Sequence, residues 1–368
     1  MKNNDEFYMS YALALAKKGL GRTSPNPLVG CVIVKNNTVI STGWHKKAGL
    51  PHAEAEALEK IRHKAKGSTL YVNLEPCCHW GKTPPCTDAI IKYGVKKVVS
   101  AMIDPNPKVN AHGHATLKKA GIKVVTGILE RQAGYLNRFF IKNTTKKQPY
   151  IIMKAGISLD GKMALSNGNS QWITGPQARA HGQNLRKECD AIAVGIGTVL
   201  KDNPYLDCRI DKAKKIKKVV FDTLGKVPLR ANIFRYSDPQ DMYIFCGSMG
   251  AEKIKTLSKR GVNVIIQKSK RAMDLKSAVD FLFDRGVGSM IVEGGGGLHT
   301  SFLKEKLYDE AMIYMAPIFI GNDGLAIVGN TGLNKLKDAL NLKNTEALKL
   351  GQDILIKGEF NYVQRDRI

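Results

Sequence analysis

No stretch of the 368 residues approaches the ~18 consecutive apolar residues that a membrane-spanning helix needs. The opening MKNNDEFYMS is acidic and polar where a secretory signal is basic and then apolar. A cytoplasmic location and no membrane partner are therefore expected. A disulfide framework is not expected either, because the seven cysteines (31, 77, 78, 86, 189, 208 and 246) are an odd number in a long chain. The clustered ones read as metal ligands, and 31, 189, 208 and 246 as structural. Acid is scarce: 32 Asp and Glu stand against 57 Lys and Arg, a formal charge of +25. The basic residues are dispersed, and the densest run, Lys212 to Lys218, carries no interleaved aromatics. Phosphorylated small substrates account for such charge as well as nucleic acid does, and no nucleic-acid partner is expected. Internal repeats and low-complexity segments are also missing.

With 43% apolar and 24% charged residues the chain is an ordinary folded protein. At ~150 residues per domain its length predicts two domains. The first, 1–145, alternates helical and strand patterns. Helices are expected over about 5–18, 53–63, 87–93 and 115–120, a hairpin over 29–34 and 39–42, and strands at 69–74, 97–102 and 122–127. The polar, proline-terminated NTTKKQP at 143–149 reads as a linker. The second domain, 150–368, shows short apolar runs at 150–154, 191–195, 218–222, 242–246, 263–266, 289–293 and 310–317, with helical candidates between them. Both halves are expected in the α/β class, the second around a mostly buried sheet.

The most informative cluster is His52-Ala53-Glu54, followed by Pro76-Cys77 and by Cys86. One imidazole and two thiolates supply three ligands of a tetrahedral zinc and leave the fourth position to water, the open arrangement of a catalytic site. Bound zinc acidifies that water, and a neighbouring carboxylate that is not a ligand shuttles protons to a leaving amine. Glu54 suits that role. The pattern follows the H-x-E and P-C logic of zinc nucleobase deaminases. Eight residues, CHWGKTPP, separate the cysteines, where those enzymes commonly have two. On spacing alone Cys78 and His79 are rival ligands, and a structural zinc is the alternative; the adjacent Glu54 argues for catalysis.

HAE, LEPC and GKTPPC, with SPNPLVGCVIV upstream and DPNP at 104–107, resemble the bifunctional deaminase/reductase family of riboflavin biosynthesis. KAGISLDGKMA, SQWIT, GTVLKDNP and VEGGGG extend the resemblance through the second half. It implies a cytidine-deaminase-like domain followed by a dihydrofolate-reductase-like domain. It further implies that His52, Cys77 and Cys86 bind one zinc per chain, that Glu54 is catalytic, and that Asn26, His45, Lys82, Asp104 and Asn106 contact the substrate. Two departures stand out: Cys78 replaces the family's usual serine, and Ala111 and His112 replace its glycine and arginine.

In the second half, Gly294 to Gly297 follow a strand and precede a helix expected over 299–304, an arrangement that can cradle a phosphate. It is not the G-x-G-x-x-G fingerprint of a Rossmann domain. The resemblance implies NADPH held by Gly156, Trp172, Thr198, Asp202, Thr223 and the loop Gly295, Gly296, Gly297, Leu298, His299, Thr300 and Ser301. It implies substrate contacts from Ser170, Arg186, Leu206, Arg209 and Glu293, with Arg186 and Arg209 as phosphate anchors. The implied activity is hydrolytic deamination of a phosphoribosylamino-pyrimidine, then NADPH-dependent reduction of its ribosyl chain to ribityl. A homo-oligomer is expected. The rival readings are an RNA-editing deaminase, opposed by the long cysteine spacing and by VEGGGG, and a zinc-stabilised binding protein that does not depend on Glu54.

Overall fold

The computed structural model describes residues 4–81, 83–107, 109–235, 238–267 and 273–362. The chain divides into two compact units, Met1–Lys147 and Gln148–Ile368.

The first unit runs α1 (Asn4–Ala16), β1 (Gly30–Lys35), β2 (Thr38–Trp44), α2 (Ala53–Ile61), β3 (Thr69–Val72), α3 (Cys86–Lys92), β4 (Lys97–Ser100), α4 (His112–Lys119), β5 (Lys123–Thr126), α5 (Glu130–Leu136) and α6 (Arg138–Lys146). Its five strands lie in the order β2-β1-β3-β4-β5. β1 pairs antiparallel with β2 and β3, whereas β3, β4 and β5 are parallel. Asn36 and Asn37 turn the hairpin with positive φ at both positions, which asparagine tolerates. The core joins Met9 and Ala12 of α1, Ile33, Leu70 and Val98 of the sheet, and Leu58, Ile90 and Leu117 of the covering helices. Gly43 lets α2 lie directly on β2, since a Cβ there would stand 2.3 Å from the Ala53 carbonyl oxygen. That contact fixes the start of α2, where His52 and Glu54 sit. The polar stretch expected as a linker from 143 is helical through Lys146: its threonines and lysines form the exposed face of α6, which has no fully buried residue.

The second unit runs β6 (Tyr150–Ser158), β7 (Lys162–Leu165), α7 (Pro176–Glu188), β8 (Ala191–Gly195), α8 (Ile196–Asp202), β9 (Lys217–Phe221), β10 (Met242–Cys246), α9 (Ala251–Lys259), β11 (Asn263–Ile266), α10 (Leu275–Asp284), β12 (Ser289–Val292), α11 (Gly296–Lys304), β13 (Glu310–Ala316), β14 (Gly324–Ala326), β15 (Asn341–Leu350) and β16 (Asp353–Asn361). Nine strands form one sheet in the order β11-β10-β9-β8-β12-β6-β13-β16-β15. β11 through β13 are parallel and β16 and β15 antiparallel, as the apolar parallel runs and the more polar terminal hairpin require. Ile151, Met153, Val219, Phe221, Phe245 and Met290 pack beneath Leu282 of α10 and Phe302 of α11. Parallel strands all end on one edge, and in open α/β sheets the crevice at that edge takes the ligand.

Candidate active sites

In the first unit, three loops converge at the N-terminal ends of α2 and α3. His52 is the residue before α2, in extended conformation, and Cys86 is the first residue of α3. The His52 Nδ1 atom lies 3.2 Å from Cys86 Sγ and 3.5 Å from Cys77 Sγ. Among the described residues these three side chains form the one His/Cys/carboxylate cluster able to hold a metal, with all ligand atoms within 4.8 Å of one another. Cys78 and His79 are not part of it. The donor set, one imidazole nitrogen and two sulfurs at van der Waals separation, fits zinc. With Nδ1 turned to the sulfurs, His52 Nε2–H is left to donate to Thr83 Oγ1 at 3.3 Å, a partner that orients the ring. Hydrogen bonds from Cys86 and His52 draw the Cys77 thiol down to about 4, and the Cys86 thiol beside it is pushed up. Such a set exchanges protons for a metal cation.

Glu54, the second residue of α2, is 3% exposed. Burial pushes its carboxyl up to about 7, with His52 opposing and Cys77 adding to the shift. A carboxyl balanced there takes up and releases protons near neutral pH. His45 is buried with its ring centroid 5.5 Å from that of His52. Its Nδ1 meets the Pro51 carbonyl at 3.1 Å and its Nε2 the Asn26 amide nitrogen at 3.1 Å. Burial lowers its pKa, so the ring is neutral, donates from Nδ1 and accepts from Asn26. Asp104 is buried, and burial, Glu75 and Cys77 push its carboxyl up to about 6 against the hydrogen bond from Asn106 N. Thus Asn26, His45 and Asp104 gather around the cluster or its direct neighbours, with Asn106 fixed to Asp104. Lys82 lies outside the described residues.

In the second unit a cavity of ≈ 1080 Å³ opens at the ends of β6, β8, β9 and β12. Gly156, Ser170, Trp172, Thr198, Asp202, Arg209, Thr223 and Glu293 line it, as do Gly295, Gly296, Gly297, Leu298, Thr300 and Ser301. Two expected contacts do not reach its wall. Leu206 is buried. His299 is fully buried, bonds the Tyr308 hydroxyl through Nδ1 at 2.7 Å, and is pushed down to about 4 by burial and by Lys154. Its helical position turns it into the core while Leu298, Thr300 and Ser301 face the opening. The glycine loop suits a dinucleotide: a Cβ at Gly297 would meet no heavy atom within 4 Å, so it would fill the cradle. Helix α11 starts there and offers its free N–H groups to a phosphate. Trp172, 62% exposed, presents a ring backed by the Arg179 guanidinium 4.5 Å from its centroid.

Arg186 lines the cavity and is also bonded within the protein. Its Nε and Nη2 donate to Glu293 at 3.0 and 2.8 Å, and its Nη1 to the Asp207 carbonyl at 2.9 Å. Three of its five N–H donors are taken by protein, so Arg186 holds Glu293 while lining the cavity beside the exposed Arg209. Burial alone would push the Glu293 carboxyl up; Arg186 and Lys154 overcome it and hold it at about 2. Lys154, with Nζ 3.7 Å from Glu293 Oε2, is a cavity cation that the sequence reading passed over, although it begins KAGISLDGKMA.

A zinc-ligand cluster with a buried carboxyl in one unit, and a dinucleotide-sized cavity on a parallel sheet in the other, define a metal-dependent deaminase joined to a nicotinamide-nucleotide reductase. The family model described as the cytidine and deoxycytidylate deaminase zinc-binding region matches residues 2–102, and the RibD C-terminal domain matches 149–356. Riboflavin biosynthesis protein RibD of Aquifex aeolicus is 41% identical over 96% of this chain and 97% of its own length. The structure of Acinetobacter baumannii RibD superposes with a TM-score of 0.87 at 38% identity, covering 97% of this chain and 99% of that one. That of a diaminohydroxyphosphoribosylaminopyrimidine deaminase/5-amino-6-(5-phosphoribosylamino)uracil reductase from Thermotoga maritima does so at 0.83 and 35%, covering 97% and 98%. The chain belongs to the RibD family of bifunctional deaminase/reductases of riboflavin biosynthesis, with a cytidine-deaminase-like first domain, a dihydrofolate-reductase-like second domain, and zinc and NADPH as cofactors.

Proposed function

We propose that the first domain, 1–145, hydrolyses the exocyclic amine of a diaminohydroxypyrimidine carrying a phosphoribosylamino group, and that the second, 150–368, reduces the ribosyl chain of the product to ribityl. The observation that carries the first step is the placement of the buried Glu54 against His52, Cys77 and Cys86. His52, Cys77 and Cys86 would hold zinc, which when bound supplies a Lewis acid that makes water nucleophilic near neutral pH. Glu54 takes a proton from the attacking water and delivers it to the departing amine. Asn26 and Asn106 offer amides to the pyrimidine edge, neutral His45 fixes Asn26, Asp104 fixes Asn106, and Lys82 supplies a cation for the phosphate.

In the second domain Gly295 to Gly297, Thr198 and Ser301 would hold the phosphates of NADPH, which when bound supplies the hydride. Gly156, Trp172, Asp202 and Thr223 bound the same pocket. Arg209 meets the substrate phosphate, Ser170 and Glu293 its hydroxyls, and Arg186 and Lys154 keep Glu293 ionised and oriented. Hydride transfer depends on such positioning more than on a nucleophile. The cytoplasm is the proposed location; no helix of the described residues is long and apolar enough to cross a membrane. A homo-oligomer fits the edge of the nine-stranded sheet, where Leu348 of the edge strand β15 and Ile354 of the adjoining β16 stand exposed.

The test follows ammonia release and NADPH absorbance together when the zinc-loaded chain receives the undeaminated substrate. One ammonia per NADPH oxidised, with ammonia leading, is the expected course. NADPH oxidation without ammonia would overturn the order, and failure of the deaminated compound to oxidise NADPH would remove the reductase assignment.

A further inference from the structure

We infer that Glu75 is a positioning residue of the deaminase: its carboxylate clamps the loop that carries Asp104 and Asn106 to the segment that carries Cys77. The inference deepens the reading above and rests on it for the substrate. Glu75 follows β3 and is 2% exposed, two residues before Cys77. It is outside the ligand cluster. Its carboxylate faces the loop instead. Oε2 accepts the backbone N–H of Asp104 at 3.2 Å and of Ala111 at 2.9 Å, so one oxygen ties both ends of the segment 104–111. Oε1 accepts the N–H of His114 at 2.9 Å.

That third bond explains a local anomaly. Helix α4 starts behind Ala111, which has a left-handed φ of 67° and no side-chain oxygen to cap the first turn. Glu75 supplies the missing cap from across the fold, with a charge of the sign that a helix N-terminus favours. The approach requires glycine at 113, where a Cβ would stand 2.1 Å from the Pro76 carbonyl oxygen. Behind the clamp, His114 Nε2 meets Ser100 Oγ at 2.9 Å, tying the same helix to β4. Asp104 in turn accepts Asn106 N at 2.8 Å, so the chain of bonds runs from Glu75 through Asp104 to Asn106. A buried carboxylate taking three N–H donors therefore sets where the substrate-reading groups stand relative to Cys77, and small misplacements of such groups are costly.

Glu75→Gln in the full chain turns one acceptor oxygen into an amide N–H2 that faces backbone donors. The KM for the pyrimidine substrate is expected to rise about tenfold or more, the factor that one lost charge-assisted hydrogen bond supplies, with a smaller fall in kcat. Zinc content and NADPH oxidation with the deaminated compound should match the unmodified chain. Amide exchange should accelerate at Asp104, Ala111 and His114 and not in α2. Glu75→Gln should add little to Asp104→Asn, because both act through one loop. Glu75→Asp, which keeps the charge and shortens the reach, should recover part of the KM, and it carries the test if Glu75→Gln does not fold. Loss of zinc, a fall in kcat at constant KM, or unchanged exchange would overturn the inference. An unmodified chain that releases no ammonia would overturn the reading above, and the exchange pattern would then still decide whether Glu75 holds the loop.

Discussion

The deaminase site is assembled from side chains between residues 52 and 86: a cluster able to hold a metal, and a buried carboxyl beside it, to which the proposed function gives the reagents' roles. The reductase cavity draws on four strand ends, with lining residues between 154 and 329, and supplies mainly shape, backbone N–H groups and fixed charge. The first site is a tight cluster with half-buried His52 and Cys77 beside buried Cys86 and Glu54; the second is roomy enough for a large cofactor. The difference follows from the reactions. Hydrolysis needs an activated water and a proton shuttle, which specific side chains must provide. Hydride transfer brings its reagent with the cofactor, so the protein contributes placement.

The contrast can be broken in several ways, beginning with the largest effect. Chelating the metal, or Cys86→Ser, should abolish ammonia release while NADPH oxidation with the deaminated compound continues; parallel loss of both would make the cluster structural. Glu54→Gln should retain zinc and lower deamination by roughly 10²–10⁴, the range for a lost general acid–base. Zinc content and ammonia release on the same preparation check it.

Arg186→Ala should destabilise the second unit by about 3–5 kcal/mol, because it removes both close hydrogen bonds to the buried Glu293 and leaves Lys154, 3.7 Å away, as its remaining cation. Denaturant unfolding of that unit measures it. Glu293 also sets a pH dependence: its folded pKa, about 2, lies below the ordinary 4.5. The unfolded state therefore binds the proton first, so this stabilisation is complete above about 4.5 and fades as pH falls toward 2. Thermal unfolding against pH should show that loss in the unmodified chain and much less of it in Arg186→Ala. The smallest effect is expected from Gly297→Val, which fills the open cradle and should raise the KM for NADPH roughly tenfold, about 1.4 kcal/mol, while leaving deamination alone.

The same contrast governs what was legible in the sequence. His52, Glu54, Cys77 and Cys86 announce themselves by residue type and spacing, because zinc chemistry restricts both. The alternating strands and helices, and the hairpin over 29–34 and 39–42, were legible from periodicity. The Arg186–Glu293 pair was not, since it joins residues 107 apart and nothing local marks it. Arg186 therefore read as a phosphate anchor, with nothing to mark the carboxylate it also holds. His299 read as a cofactor contact together with its loop neighbours, and helical geometry alone sends it inward, away from the cavity they line. The lysines and threonines of α6 resembled a linker because an exposed helix face and a polar connection share a composition. Glu75 stood inside LEPC, yet its role depends on backbone N–H groups that no side-chain pattern reveals.

The central claim is that two independent chemistries occupy one chain, and Glu54→Gln supplied with the already deaminated pyrimidine tests it most directly. NADPH absorbance should fall at the unmodified rate, although the same variant given the undeaminated compound leaves NADPH intact. Equal impairment with both compounds would contradict the account, because Glu54 would then serve the fold or the reductase rather than the movement of a proton.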